Sequence, residues 1–221
     1  MTNDTERTEV IRKVRASADA DPAKAKQLEE YLKAAEPLIR ELAGLGYSVE
    51  TADDLRHLGR PWKSALPVLI KWLPRIDHIG VKEGIVRGLS VPWVGNHATA
   101  LLIDEFKTSD AGRSLAWAIG NALSIVSVEG FEGEIIKLSN NPKYGVARQM
   151  IVLSLGRMGS SEAEEAALSL LKDEDVKLHA IVALGDMKSQ RALPELEKLL
   201  KDKRPAIRKE TRKAVAKITG G

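Results

Sequence analysis

The chain has 221 residues, 43% of them hydrophobic and only 4% aromatic, which suits an extended helical stack better than one globular core. It has no cysteine, which excludes disulfides, thiolate metal sites and cysteine nucleophiles and fits a cytoplasmic location. The net charge of +3 hides an asymmetry: residues 190–221 hold ten Lys/Arg against four Asp/Glu, so residues 1–189 sum to −3.

No apolar run approaches the ~18 residues that span a membrane, and the charged start argues against a signal peptide, so no membrane partner is expected. Residues 1–21 form a polar N-terminal segment. Asp21-Pro22 then reads as a helix start, with a capping carboxylate followed by a proline at the first turn. Leu28, Tyr31, Leu32 and Ala35 lie on one face. Pro37 is expected to kink or end the helix, with Leu38, Ile39 and Leu42 continuing the stripe to Gly44 and Gly46. Thr51 is expected to cap a short helix, Ala52–Leu58. Residues 22–60 together read as an N-terminal helical cap on a stack.

Five units follow, at 62–91, 95–126, 128–158, 161–187 and 190–218. In the first, Ser64 is expected to cap a helix whose first turn holds Pro67, and Pro74 ends it. Thr108-Ser109-Asp110 and Asn140-Asn141-Pro142 are the turns of the second and third units. The second helix of the third unit, read as Val146–Met158, is apolar nearly all round. The fourth and fifth units each contain a Leu-Leu-Lys-Asp turn, Leu170–Asp173 and Leu199–Asp202. The last helix, Ala206–Ile218, is strongly basic.

The units repeat in phase. Leu89, Leu123, Leu155, Leu184 and Val215 are spaced 34, 32, 29 and 31 residues apart. Four residues before each stand Ile85, Ile119, Ile151, Ala180 and Thr211; eight before stand Val81, Leu115, Ala147, Val176 and Ile207. Such an i, i+4, i+8 stripe is the buried face of a helix. A unit of about 30 residues cannot bury that face alone and must stack on its copies. The fold expected is therefore an all-α solenoid of about five antiparallel helix pairs.

The Leu-Gly pairs (Leu155-Gly156, Leu184-Gly185), the Ala-Leu-Pro starts (Ala65–Pro67, Ala192–Pro194) and the Leu-Leu-Lys-Asp turns resemble HEAT repeats. The resemblance is to the short bacterial form named after phycobilisome lyases, over about residues 62–218. It implies a right-handed stack with the second helices on the concave side, and no particular activity.

On each second helix, the positions two and six before the reference residue lie opposite the buried stripe. They are Arg87 and Glu83, Asn121 and Trp117, Leu153 and Gln149, Val182 and Leu178, and Lys213 and Lys209. Trp93, in Pro92-Trp93, joins this row as a partner-binding candidate or as a wedge between units. The row runs from charged through aromatic-amide and apolar to basic, a pattern that suits a protein-binding groove. Lys82, Arg148, Lys177 and Arg208 recur seven residues before the reference position. With Asp173 and Asp202 recurring in the preceding turns, the resemblance implies a structural ladder in which the basic residue of one unit caps or pairs with a turn acid.

Signatures of catalysis are lacking. His57, His78, His97 and His179 are isolated, so no metal, cofactor or catalytic residue is expected. Asp53-Asp54 and Asp104-Glu105 read as capping and solvated charges. The function expected is a non-enzymatic scaffold or adaptor for a protein partner. The alternative is a nucleic-acid binder that resembles HEAT-type alkylpurine DNA glycosylases, with Lys209, Arg212, Lys213 and Lys217 as its basic stripe. That family carries a catalytic Asp on a central second helix; the stretch Ser114–Asn121 offers Trp117 but no Asp.

Overall fold

The computed structural model describes residues 21–57, 62–109 and 113–220, with Arg113 by its backbone alone. The expected segment 1–21 lies outside these residues except for Asp21. The described residues contain no strand and divide between Ile85 and Val86 into two compact units.

In the first unit, α1 spans Pro22–Gly44, and the Asp21 carboxylate accepts from the backbone amide of Ala23 at 3.0 Å, as expected of a cap. The helix continues through Pro37 instead of ending there. Ala35, Leu38 and Leu42, on both sides of the proline, are buried and hold the two halves to one packing surface. Leu32 is not part of that surface and is exposed. Helix α1 packs on α2, Leu66–Trp72. At this seam the Glu41 carboxylate accepts from Lys71 Nζ at 2.5 Å and from Trp72 Nε1 at 2.8 Å. The Lys71 bond first, and then that of Trp72, hold this carboxyl below its usual range.

Two expected caps are corrected here. Ala52–His57 is a 3₁₀ turn, and its acceptor is Asp54, not Thr51. The buried Asp54 carboxylate takes the amides of Glu50 and Thr51, both at 2.9 Å, so it is not a solvated charge. Ser64 does not cap a helix. A 3₁₀ turn, Lys63–Ala65, precedes α2, and Ser64 Oγ bonds Tyr47 Oη at 2.6 Å. A further turn, Leu73–Arg75, carries Pro74 and ends the segment. Tyr31 meets the His78 ring edge-on at 5.6 Å, and burial, with the nearby charges of Asp54 and Asp53, raises its hydroxyl to about 12. Helix α3, Ile79–Leu89, crosses the division between the units.

The second unit is an α-solenoid of four helix pairs: α4 (Thr99–Thr108) with α5 (Arg113–Ile125), α6 (Glu132–Asn140) with α7 (Gln149–Met158), α8 (Ser161–Leu170) with α9 (Lys177–Asp186), and α10 (Leu193–Leu199) with α11 (Pro205–Thr219). The second helices form a continuous layer, α5 on α7 on α9 on α11. The repeated stripe is what they bury: Leu115, Ile119 and Leu123; Ile151 and Leu155; Val176, Ala180 and Leu184; Ile207 and Thr211. Two positions depart. Val215 is half-buried, on a helix with no described helix beyond it. Ala147 is half-buried because α7 starts at Gln149, not Val146. Pro142–Arg148 is a 3₁₀ segment broken at Gly145 (φ 47°, ψ −133°), a left-handed conformation that favours glycine, and it leaves Val146 exposed. Glu105 corrects another expectation, since it is buried on α4 beside the exposed Asp104.

The Leu-Gly pairs have a specific role in this layer. A Cβ on Gly156 would stand 3.0 Å from Ala183 Cα, and one on Gly185 would stand 2.8 Å from Ala214 Cα. Helices α7, α9 and α11 thus touch backbone to backbone. Turn-side pairs link the same units. Arg148 is 1% exposed, and its guanidinium donates to the carbonyls of Gly145 and Ser139, each at 3.0 Å, and to Asp173 at 2.8 Å. The expected ladder therefore exists here, running from one unit to the acid of the next. In the last unit Arg208 instead donates to the carbonyls of Asp202 and Lys203. Arg204 holds Asp202 and reaches back to Glu174, while Lys177 pairs with Glu174 beside it.

Gly185→Ala is expected to destabilise the chain by about 1–3 kcal/mol through overpacking against Ala214, read as a lower urea midpoint. Arg148→Met, which takes the guanidinium from the Gly145 and Ser139 carbonyls and from Oδ2 of Asp173, is expected to cost about 3–5 kcal/mol on the same measurement.

Candidate interaction surface

Each second helix of the second unit shows two opposed faces, because residues 200° apart around a helix cannot both enter the same core. The stripe faces inward. The positions two and six residues before the reference point away from it, and none is buried. Trp117 on α5 is 47% exposed, and Asn121 is half-buried one turn on. On α7 and α9, Gln149, Leu153, Leu178 and Val182 are all half-buried. On α11, Lys209 and Lys213 are exposed. Since α5, α7, α9 and α11 pack in that order, these four pairs form one row across the layer.

The remaining candidates are Glu83, Arg87 and Trp93. Glu83 is half-buried in the first unit and Arg87 is exposed on the same helix, α3. Trp93 is half-buried in the 3₁₀ turn Pro92–Val94. That turn lies on the loop whose Gly95 carbonyl accepts from the Ser127 amide, at the far end of α5 from the start of the row. A cleft of about 330 Å³ opens beside it, lined by Pro92, Ile125, Glu129, Glu132 and Arg157 among others. Nothing in the sequence pointed to this cleft. The Arg157 guanidinium inside it already donates to the carbonyls of Ser124 and Val126.

The row's polar members are partly engaged. Gln149 Nε2 donates to the Asp175 carbonyl at 2.8 Å, leaving its oxygen as an acceptor. Lys213 pairs with Glu210 at 2.8 Å and Lys217 with Asp186 at 2.5 Å. Lys209 and Arg212 have no ion-pair partner among the described residues. The charge of α11 is therefore only partly spent within the fold. Nearby, Arg204 draws the Asp202 carboxyl far below its usual range, and Lys177 and then Arg204 lower that of Glu174. Among the described residues no group of three His, Asp or Glu side chains is placed to hold a metal ion. No described helix is long and apolar enough to cross a membrane.

Comparison with known families matches residues 134–219 to the model for HEAT repeats, a span that runs from α6 to the last turn of α11. Repeats of this family generally mediate contacts between proteins. The match is to HEAT repeats in general and does not single out the short bacterial form. The helix pairs before residue 134 lie outside it. No curated protein matches the chain.

His179 lies on α9, one residue from the row, and is half-buried. Its Nδ1 is buried without a hydrogen-bond partner, and burial lowers its pKa from the ordinary 6.5. The unfolded chain binds this proton near 6.5, whereas the folded chain takes it up only at lower pH. Its stability is therefore full above 6.5 and is lost as pH falls from there towards the folded value. The melting temperature is expected to drop between about pH 7.5 and about pH 5.5, and His179→Phe is expected to reduce that drop.

Proposed function

With residues 134–219 belonging to the HEAT-repeat family, we propose that the chain is a non-catalytic interaction module. It binds a protein partner on the uncovered side of its second-helix layer. The observation that carries this reading is the row itself. Three successive helices present Trp117, Leu153, Leu178 and Val182 partly open to solvent, on a layer whose opposite face is already packed. Aromatic and aliphatic side chains at the centre of a wetter surface supply most of the free energy of protein recognition. The fold asks nothing of Trp117 that would require its indole to stand 47% exposed.

Nucleic-acid binding is the second reading, favoured by one observation: the incompletely paired cations of α11. Binding through phosphates weakens steeply with salt, whereas burial of apolar side chains does not.

The test is capture of partners from a lysate of the native source, with and without nuclease. The expected result is a stoichiometric protein that survives nuclease and raised salt. Trp117→Ala, at an exposed site that leaves folding unaffected, is expected to weaken it by tenfold or more, in the range of a hot-spot truncation. Leu178→Asp should abolish it. A bound fraction that vanishes with nuclease and depends on Lys209 and Lys213 would replace this reading with the nucleic-acid one. Release of bases from alkylated DNA would make the protein an enzyme.

A further inference from the structure

Resting on that reading, we infer the chemistry of the partner. It is an extended peptide segment, apolar along its middle and acidic at one end, laid across α5, α7, α9 and α11 with its acidic end on α11.

The row's dimensions point to an extended chain. Its two positions on each helix are four residues apart, about 6 Å at 1.5 Å per residue, so the row is narrow. A helix with side chains is about 10–12 Å across and would overhang it on both sides. In the other direction the row crosses three helix–helix steps of about 9 Å each, about 27 Å in all. An extended chain rising about 3.3 Å per residue covers that length in about eight residues. Such a chain also needs partners for its own backbone groups. On adjacent helices, the Asn121 side-chain amide provides donors and an acceptor and Gln149 provides its free oxygen as an acceptor.

The row's charges determine the order of the segment's residues. Trp117 and Asn121 stand on α5, Gln149 and Leu153 on α7, Leu178 and Val182 on α9. None of these six is charged. Lys209 and Lys213 then stand on α11, with Arg212 exposed on the same helix. A segment with carboxylates opposite α11 and apolar side chains opposite Leu178 and Leu153 complements this order. A single-stranded nucleic acid does not, since its phosphates recur at every nucleotide and three of the four helices offer them no cation on the row.

The experiment is selection of a displayed library of random peptides, about ten residues long, on the full chain. Selected sequences are expected to converge on two or more Asp/Glu at one end followed by apolar residues. The double variant Lys209→Glu/Lys213→Glu, at exposed positions, is expected to bind the selected peptide at least tenfold more weakly and, when selected afresh, to lose the acidic end. Trp117→Ala is expected to weaken the same peptide while leaving the acidic preference intact. Failure to enrich any peptide, enriched peptides without an acidic end, or indifference to the lysine variant would overturn the inference. Should that happen while Trp117→Ala still releases a partner captured from lysate, the interaction surface stands and only the segment's chemistry falls. Indifference of both the peptide and the captured partner to Trp117→Ala and Leu178→Asp would remove the surface itself.

Discussion

The structure depends on how closely its second helices approach one another. A helix pair of this length exposes an apolar stripe that it cannot cover alone, and stacking is the only way to remove it from water. Stacking at normal interaxial distance would bring side chains into contact. At Gly156 and Gly185 the contact goes further, to the Cα of an alanine on the next helix. The two glycines make that seam closer than Cβ atoms would permit. They also sit where helix interiors ordinarily pay for glycine with about 1 kcal/mol of propensity. The gain from burying the stripe outweighs that loss, and the spacing of everything the layer displays follows from it.

A second set of interactions fixes the register of the units at their turn ends. Buried ion pairs contribute little net stability, because desolvation offsets attraction. Arg148 avoids the worst of that cost by satisfying its guanidinium three times, twice on carbonyls of its own unit and once on Asp173 of the next. This geometry is lost if the units slip, so the contact acts more on specificity than on affinity between units. Arg204 repeats the arrangement from the surface, joining Asp202 to Glu174. Among the described residues of the second unit, two buried side-chain atoms have no hydrogen-bond partner, Thr211 Oγ1 and His179 Nδ1. Thr211 occupies a stripe position that Ile119, Ile151 and Ala180 fill elsewhere, and its hydroxyl is left unsatisfied on α11.

The stripe was legible in the sequence because helical periodicity translates directly into burial. Of its ten residues from Leu115 to Thr211 that the layer buries, each was named by counting back in fours from a leucine or its equivalent. The same counting placed the exposed row, since a helix with one apolar stripe has only one opposite side. Local chemistry was less legible. Pro37 suggested a break that packing on both sides overrides, and Thr51 and Ser64 suggested caps where Asp54 and Tyr47 supply the hydrogen bonds. Gly145 interrupts a run that reads as continuous helix from Val146. Glu105 and Arg148 are buried because of what surrounds them in space, and no spacing along the chain announces those neighbours. Periodic information survives in one dimension, whereas information about pairing across 25 residues or more does not.

The opposition of the two faces on one helix has a functional consequence. Substitutions at the stripe alter stability, because they change a packed interior. Substitutions at Trp117, Lys209 or Lys213 change an exposed surface and leave the interior untouched, so their effect on folding is small. On the function proposed above, recognition and folding therefore draw on different residues of the same helices. Leu153, Leu178 and Val182 are the exception: half-buried between α7, α9 and their neighbours, they belong to both. They are the positions at which a change of partner would carry a cost in stability, and so the centre of the row is more constrained than its two ends. The aromatic end on α5 and the basic end on α11 are free to vary in chemistry without disturbing the interior, and on the function proposed above it is there that a preference among partners is set.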